Sequence, residues 1–153
     1  PDNIHIIPYD STINHYEGVL SGLQDNMRVS VEFEDFVIEA DPVKIYAAAG
    51  IEAEIINGML VDMDGNALAL EGLKVDASFL PADATMSDNA REGVVTGNIV
   101  SFIYVDDHYR YTVRSKSEED YIVNDEDLWN QGDYVSVMIP VEKISYRIIN
   151  EQE

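Results

Sequence analysis

GLKVDASFLP at positions 72–81 and GDYVSVMIP at positions 132–140 run to the same plan: a glycine, apolar residues three, five and seven places later, then a proline. Side chains alternate across a strand, so this spacing puts Val75, Ala77 and Phe79, and again Val135, Val137 and Ile139, on one face. Each stretch predicts a half-buried strand that stops at its proline. The proline opens a second repeated phrase: LPADATM (80–86), IPVEKISY (139–146) and PDNIHI (1–6) all place an acidic residue one or two positions after it. A third echo joins EGVLSG (17–22) to EGVVTG (92–97). Self-similarity at this scale predicts two related small units in tandem, 1–80 and 81–153, with the small and polar stretch 81–91 as the seam.

Working outward, VVTGNIVSFIYV (94–105) is β-branched and aromatic, and after Asp106-Asp107 it gives way to HYRYTVRS, where Tyr109, Tyr111 and Val113 alternate with polar residues. That is a hairpin with one buried face. DYIVN (120–124) reads as the next strand, Asp125 as the cap of a short helical turn ending at Gly132, and YVSVMI and KISYRII as two more strands. Five strands in about sixty residues is the density of a barrel or sandwich. The first half is also mostly β. MRVSVEF (27–33) alternates, and the Asn57-Gly58 and Asp64-Gly65-Asn66 turns divide 51–70 into a three-strand meander. The one helix is DPVKIYAAA (41–49), with Asp41 as cap, Pro42 in the first turn and Gly50 as stop. The fold class expected is therefore mainly β, with barrel-like units and one short helix.

The 153 residues suffice for one ordinary domain or two minimal ones, and a 46% hydrophobic content fills a core. No apolar run approaches the ~18 residues that span a bilayer, and no basic-then-apolar segment opens the chain, so direct membrane insertion is not expected. Pro1 is not an initiating residue, which marks the chain as a piece of a longer or processed protein. The absence of cysteine removes disulfides and thiolate metal sites and fits a reducing compartment. Thirty acidic against nine basic residues give a formal charge of −21. Such a surface repels phosphate backbones, which excludes nucleic acid as a partner, and attracts cations where it does more than confer solubility.

Catalytic motifs are missing: there is no phosphate loop, no G-x-S-x-G and no H-E-x-x-H, and the three histidines lie far apart. Asp62-Met63-Asp64-Gly65 begins like a calcium loop, but Ala67 stands where the loop's glycine belongs and Leu73 where its bidentate glutamate belongs, so an Asp-Gly turn is expected instead. Trp129 is expected to cap one end of the core, and Ser117-Glu118-Glu119-Asp120 to be a solvated loop. No catalytic residue, metal site or cofactor is assigned.

PDNIHIIPYD, EGVVTGNIVSFIYVDDHYRYTVRS and GDYVSVMIPVEKISY together resemble the C-terminal regulatory region, with its TOBE (transport-associated OB) domains, of ATP-binding subunits of bacterial ABC importers. Within that family the likeness is to spermidine/putrescine importers, whose phrases "R-P-E-D-I", "Y-x-G-x-H-Y" and "P-E-x-I" correspond to positions 1–4, 104–109 and 140–144. It is good over 92–148 and the first ten residues and weak over 27–78, where the first unit is degenerate or enlarged. The family's hairpin glycine is replaced by Asp106. The resemblance implies tandem OB-like barrels without ATPase activity of their own, packing against a second copy of the ATPase subunit and working with membrane permease subunits. It places the chain in the cytoplasm, peripheral to the inner face of the cell membrane. A polyamine effector would be held at Asp106, Asp107 and Tyr109, carboxylates beside an aromatic face. The alternative is an oxyanion-binding module, since MSDNAREGVV (86–95) is similar to the opening of molybdate-binding domains; the scarcity of cations argues against it.

Overall fold

In the computed structural model, which describes residues 13–149, the alternating stretches become strands and the glycines become their stops. The chain runs through β1 (Asn14–Leu20), β2 (Val29–Glu32), β3 (Val37–Ala40), helix α1 (Pro42–Ala48), the hairpin of β4 (Ala53–Ile56) and β5 (Met59–Asp62), and β6 (Lys74–Phe79). A 3-10 turn at Pro81–Asp83 leads to β7 (Thr85–Ser87). Then come β8 (Val95–Val105), β9 (His108–Ser115), β10 (Asp120–Asp125) and β11 (Tyr134–Met138), and a second 3-10 turn at Val141–Lys143 leads to β12 (Ser145–Ile148). Strands take 49% of the described residues and helix 9%, so the fold is mainly β, as expected. The opening phrase PDNIHI lies outside the described residues.

The repeated stretch is repeated structure. Gly72 and Gly132 both hold a left-handed backbone, φ +82° and +95°, which glycine adopts without steric cost. The Gly72 amide donates to Leu20 O (2.8 Å) and the Gly132 amide to Ile99 O (2.7 Å). β6 then buries Val75, Ala77 and Phe79, and β11 with the residue that follows it buries Val135, Val137 and Ile139, as the spacing predicts. The first sheet has the order β12-β6-β1-β2-β3 and the second β7-β11-β8-β9-β10, antiparallel throughout. The two orders coincide once the edge strands are exchanged. β12, the last strand of the chain, pairs with β6 (Ser145↔Ser78, Tyr146↔Ala77), and β7 pairs with β11 in the corresponding register (Thr85↔Met138, Met86↔Val137). One apolar cluster joins both sheets, from Val29, Val31 and Ile45 to Tyr111, Tyr121 and Val137.

The glycine echo is present but shifted by one turn of the motif. Strand pairing sets Gly18 opposite Val75 and Gly97 opposite Val135, so Gly18 corresponds to Gly97 rather than to Gly93. Close approach of neighbouring strands explains the shared residue type. A Cβ at Gly18 would stand 2.7 Å from the side chains of Phe33 and Val31, and one at Gly97 would stand 2.4 Å from the Arg114 carbonyl oxygen.

The first sheet carries an insertion between β3 and β6. Asp41 caps α1 by accepting from the Val43 amide (2.9 Å), Pro42 opens the helix, and Gly50 follows it at φ +82°. Ile45 and Tyr46 bury its inner face, and the Tyr46 hydroxyl donates to Ala69 O (2.6 Å). Asn57 and Gly58 both have positive φ, the conformation a two-residue hairpin turn requires.

Three expectations need correction. The meander over 51–70 has two strands and a single Val61↔Ala67 bridge, because the Asp62 carboxylate accepts from the Asp64 and Asn66 amides (2.9 Å each) and spends those residues on the turn. The alternation over 27–33 yields a strand only at Val29–Glu32, since Met27 sits at φ +64°. No helical turn follows Asp125. The Tyr111 hydroxyl donates to Asp127 O and accepts from the Trp129 amide (2.7 Å each), occupying the groups a helix would have used. Asp125 still caps locally, accepting from the Asp127 amide (3.0 Å) and Trp129 Nε1 (3.1 Å).

Candidate functional site

The β8–β9 hairpin places the three residues singled out in sequence. Asp106 occupies the tip at φ +55°, a left-handed conformation that aspartate tolerates better than most side chains, which accounts for its standing in for glycine. The Asp107 side chain is 93% exposed and lies 3.1 Å from His108 Nδ1. Hydrogen bonding from that histidine, with a smaller backbone contribution, holds its carboxyl below the usual range. Tyr109 is half-buried and belongs to an aromatic ledge: its ring centroid is 4.9 Å from that of Tyr104, opposite it in the ladder, and 5.9 Å from those of Phe102 and Tyr111. The three residues therefore share one hairpin end, the carboxylates in solvent and the ring in the ledge.

A second acidic surface, with four carboxylates around one groove, lies at the other end of the second sheet. Glu17 of β1, Glu32 of β2, Glu34 of the β2–β3 turn and Glu119, just ahead of β10, line a groove of about 550 Å³ walled by Tyr16, Phe33 and Tyr121. Strand alternation explains the first three: burying Val29, Val31 and Phe33 turns Glu32 and Glu34 outward, and the Val19↔Glu32 pairing sets Glu32 beside β1. Tyr16 and Tyr121 stack at 4.7 Å. Burial pushes both phenols well above the ordinary tyrosine range, and Glu119 and Asp35 add to it, so the wall stays protonated and neutral. A neutral aromatic wall with carboxylates around it suits an organic cation. The outward glutamates are legible in EGV and VEFED, but Glu119 joins them only through tertiary packing.

Asp35 locks this groove together. From the turn after β2, its Oδ2 accepts from the hydroxyls of Ser115 (2.8 Å) and Tyr121 (2.7 Å), and its Oδ1 from Ser117 (2.6 Å). Burial works against the charged carboxylate, but the hydroxyls of Ser117, Tyr121 and Ser115 outweigh it and hold the group below its ordinary value. The solvated loop expected over 117–120 is present at Ser117 and Glu118, which are exposed, although Ser117 also binds Asp35; Asp120 departs from it, lying in β10 and forming a two-bond ion pair with Arg114 (2.7 and 3.0 Å). Three further bonds run between the sheets. Asn14 pairs its amide with the backbone of Ile122 (2.8 and 2.9 Å), and the Tyr16 hydroxyl donates to Asp120 O (2.6 Å). Trp129 is half-buried against the core. Among the described residues no cluster of three potential metal ligands occurs, and no helix is long and apolar enough to cross a membrane.

No protein-family model matches the chain. The spermidine/putrescine import ATP-binding protein PotA of Bacteroides fragilis is 30% identical over 144 residues, 94% of this chain. The chain is homologous to part of that protein. It spans a quarter of the length of the curated relatives it matches, the Bacteroides thetaiotaomicron protein of the same name being 29% identical over 144 residues. Among solved structures, the cytoplasmic molybdate-binding protein ModG, in its molybdate-bound form, aligns with a TM-score of 0.61 over 89% of this chain and 96% of its own, at 12% identity. Likeness at that identity is likeness of fold, and it matches the tandem of five-stranded sheets seen here.

Proposed function

We propose that this chain is the non-catalytic regulatory region of the ATP-binding subunit of an ABC importer for spermidine or putrescine, and that it holds a polyamine as effector. It is built as two OB-like units, 1–80 and 81–153, and the last strand of the second, β12, completes the sheet of the first. It would work as part of an ATPase homodimer beside membrane permease subunits, at the inner face of the cell membrane, with no cofactor of its own. The homology to the import ATP-binding proteins supports this reading. The observation that carries it furthest is the glutamate-lined aromatic groove.

Screening decides between the acidic surfaces. At physiological salt the Debye length is ~8 Å, so dispersed carboxylates act singly while those converging on one groove act together. Glu17, Glu32, Glu34 and Glu119 with Tyr16 and Tyr121 therefore make the stronger polyamine site. Asp106, Asp107 and Tyr109 are the weaker one, because two carboxylates at a hairpin tip offer less charge to a polycation than four around one groove. The oxyanion alternative draws on the resemblance of MSDNAREGVV (86–95) to molybdate-binding domains and on the likeness in fold to a molybdate-binding protein, and it requires molybdate to bind this chain.

Spermidine titration followed by NMR, at low and then physiological salt, tests the proposal. Localised, salt-resistant shifts around the groove, lost in a variant with all four glutamates changed to glutamine and kept in Asp106→Asn/Asp107→Asn, are expected. Shifts spread over every acidic residue and erased by salt would reduce the charge to counterion condensation and end the polyamine reading.

A further inference from the structure

A second cavity, of about 430 Å³, opens between α1 and the exchanged edge strand β12. Its composition runs against that of the molecule. Two of the nine basic residues of a chain of charge −21, Arg28 and Lys44, line it. Lys44 makes no ion pair among the described residues, and Arg28 is held by long contacts to Glu39, its Nε 3.8 Å from Oε1 and its Nη2 donating to the carbonyl oxygen at 3.4 Å. Tyr146 lines the same cleft, and its hydroxyl is buried without a hydrogen-bond partner. A buried donor lacking an acceptor is a standing cost to the fold that a ligand oxygen relieves. Burial pushes that phenol up to about 12, with the nearby Arg28 pulling the other way, so it remains a donor across the physiological range. Two carboxylates share the lining, Asp41, whose Oδ1 is engaged in capping α1, and Glu142, exposed in the turn before β12, and Val141 and Ile144 add apolar wall.

We propose that this cleft binds a small zwitterion of the amino-acid class, its carboxylate taken by Arg28, Lys44 and the Tyr146 hydroxyl, its ammonium by Glu142 and its side chain by the apolar wall. Two arguments select this class. A simple anion is repelled by the field of the whole chain, whereas a ligand of zero net charge is not. A simple cation leaves Lys44 and the phenol unmatched, and only a ligand with both groups answers both signs of the lining. The cleft volume exceeds that of a bare carboxylate and falls within the range of small-molecule sites, ~300–1,000 Å³. The site is separate from the polyamine groove and does not rest on that reading.

Binding is tested on the whole chain by NMR and calorimetric titration with L-leucine, L-methionine and L-alanyl-L-leucine. The comparators are 4-methylpentanoate, which lacks the ammonium, and isoamylamine, which lacks the carboxylate. We expect saturable binding by at least one amino-acid probe near ~1 mM, the strength ordinary for so small a ligand, and at least about tenfold weaker binding of both comparators. Lys44→Gln, at an exposed helix position, weakens the amino acid about tenfold with the fold unchanged. Tyr146→Phe weakens it several-fold and raises the melting temperature of the free protein, because it deletes the unpartnered hydroxyl. No saturable response to any of the three probes, comparators binding as well as leucine, unchanged affinity in Lys44→Gln, or a lowered melting temperature in Tyr146→Phe would each overturn the proposal.

Discussion

Asp35 shows how much one side chain can decide in a chain this acidic. Its carboxylate accepts three hydroxyl hydrogen bonds from the second sheet while sitting in a turn of the first. Bonds to a charged acceptor contribute ~1.5–3 kcal/mol in favourable settings. With Asp35 partly open to solvent, the lower end of that range is the relevant one, and Asp35→Ala should destabilise by ~1–2 kcal/mol in urea titration. The pH dependence follows from the direction of its shift. A folded-state carboxyl held below its unfolded value of 3.8 contributes stability at neutral pH and loses it as pH falls through the folded value, so acid should narrow the gap between wild type and Asp35→Asn. Asp106 is the opposite case, a residue whose backbone would be served better by another. Asp106→Gly relieves the left-handed conformation at the hairpin tip and should stabilise by ~0.5–1 kcal/mol, read as a raised midpoint of thermal unfolding. The carboxylate preference at Asp106 was not visible in the residue pattern alone. Its turn position was, because Asp106-Asp107 is the polar pair that interrupts the β-branched and aromatic run before the alternation of β9 begins.

At the scale of elements, strands and helix were legible where periodicity and capping agreed. β6 and β11 follow from apolar residues at every second position after a glycine, and α1 from Asp41, Pro42 and Gly50. The failures were tertiary. The helical turn expected after Asp125 was displaced by the hydroxyl of Tyr111, a residue fourteen positions earlier in the chain, and sequence has no signal for that contact. The groove was half-legible for the same reason: Glu17, Glu32 and Glu34 follow from alternation, while Glu119 arrives with the second sheet. The glycine echo misled by one motif step because what recurs is a steric demand between strands rather than a word. That demand can be measured. Gly97→Ala sets a Cβ 2.4 Å from a backbone oxygen that cannot move aside, and should cost ~2–3 kcal/mol. Gly18→Ala meets only the ring edge of Phe33 and a methyl of Val31, which can shift, and should cost ~1 kcal/mol in the same urea titrations. Equal costs would count against the strand register described for β8.

At the scale of the whole molecule, the exchanged edge strands make the two halves depend on each other. Removing β12 by truncation before Ser145 strips the first sheet of its edge and uncovers β6, although β6 lies more than sixty residues earlier. Hydrogen exchange should then show lost protection over Lys74–Phe79 while β8 to β10 keep theirs. Loss confined to the C-terminal strands would contradict the pairing. The same interdependence would give an effector in the acidic groove a means of action, since the groove takes residues from both sheets and one of its walls, Tyr121, is hydrogen-bonded to Asp35. The central claim is that a polyamine held there feeds back on import. The direct test is ATP hydrolysis by the assembled importer, titrated with spermidine at physiological salt, with the full ATP-binding subunit carrying this region either intact or with Glu17, Glu32, Glu34 and Glu119 changed to glutamine. Inhibition by spermidine in the intact assembly, relieved in the glutamine variant at equal basal rate, is the expected result; equal inhibition of both, or of neither, would contradict it.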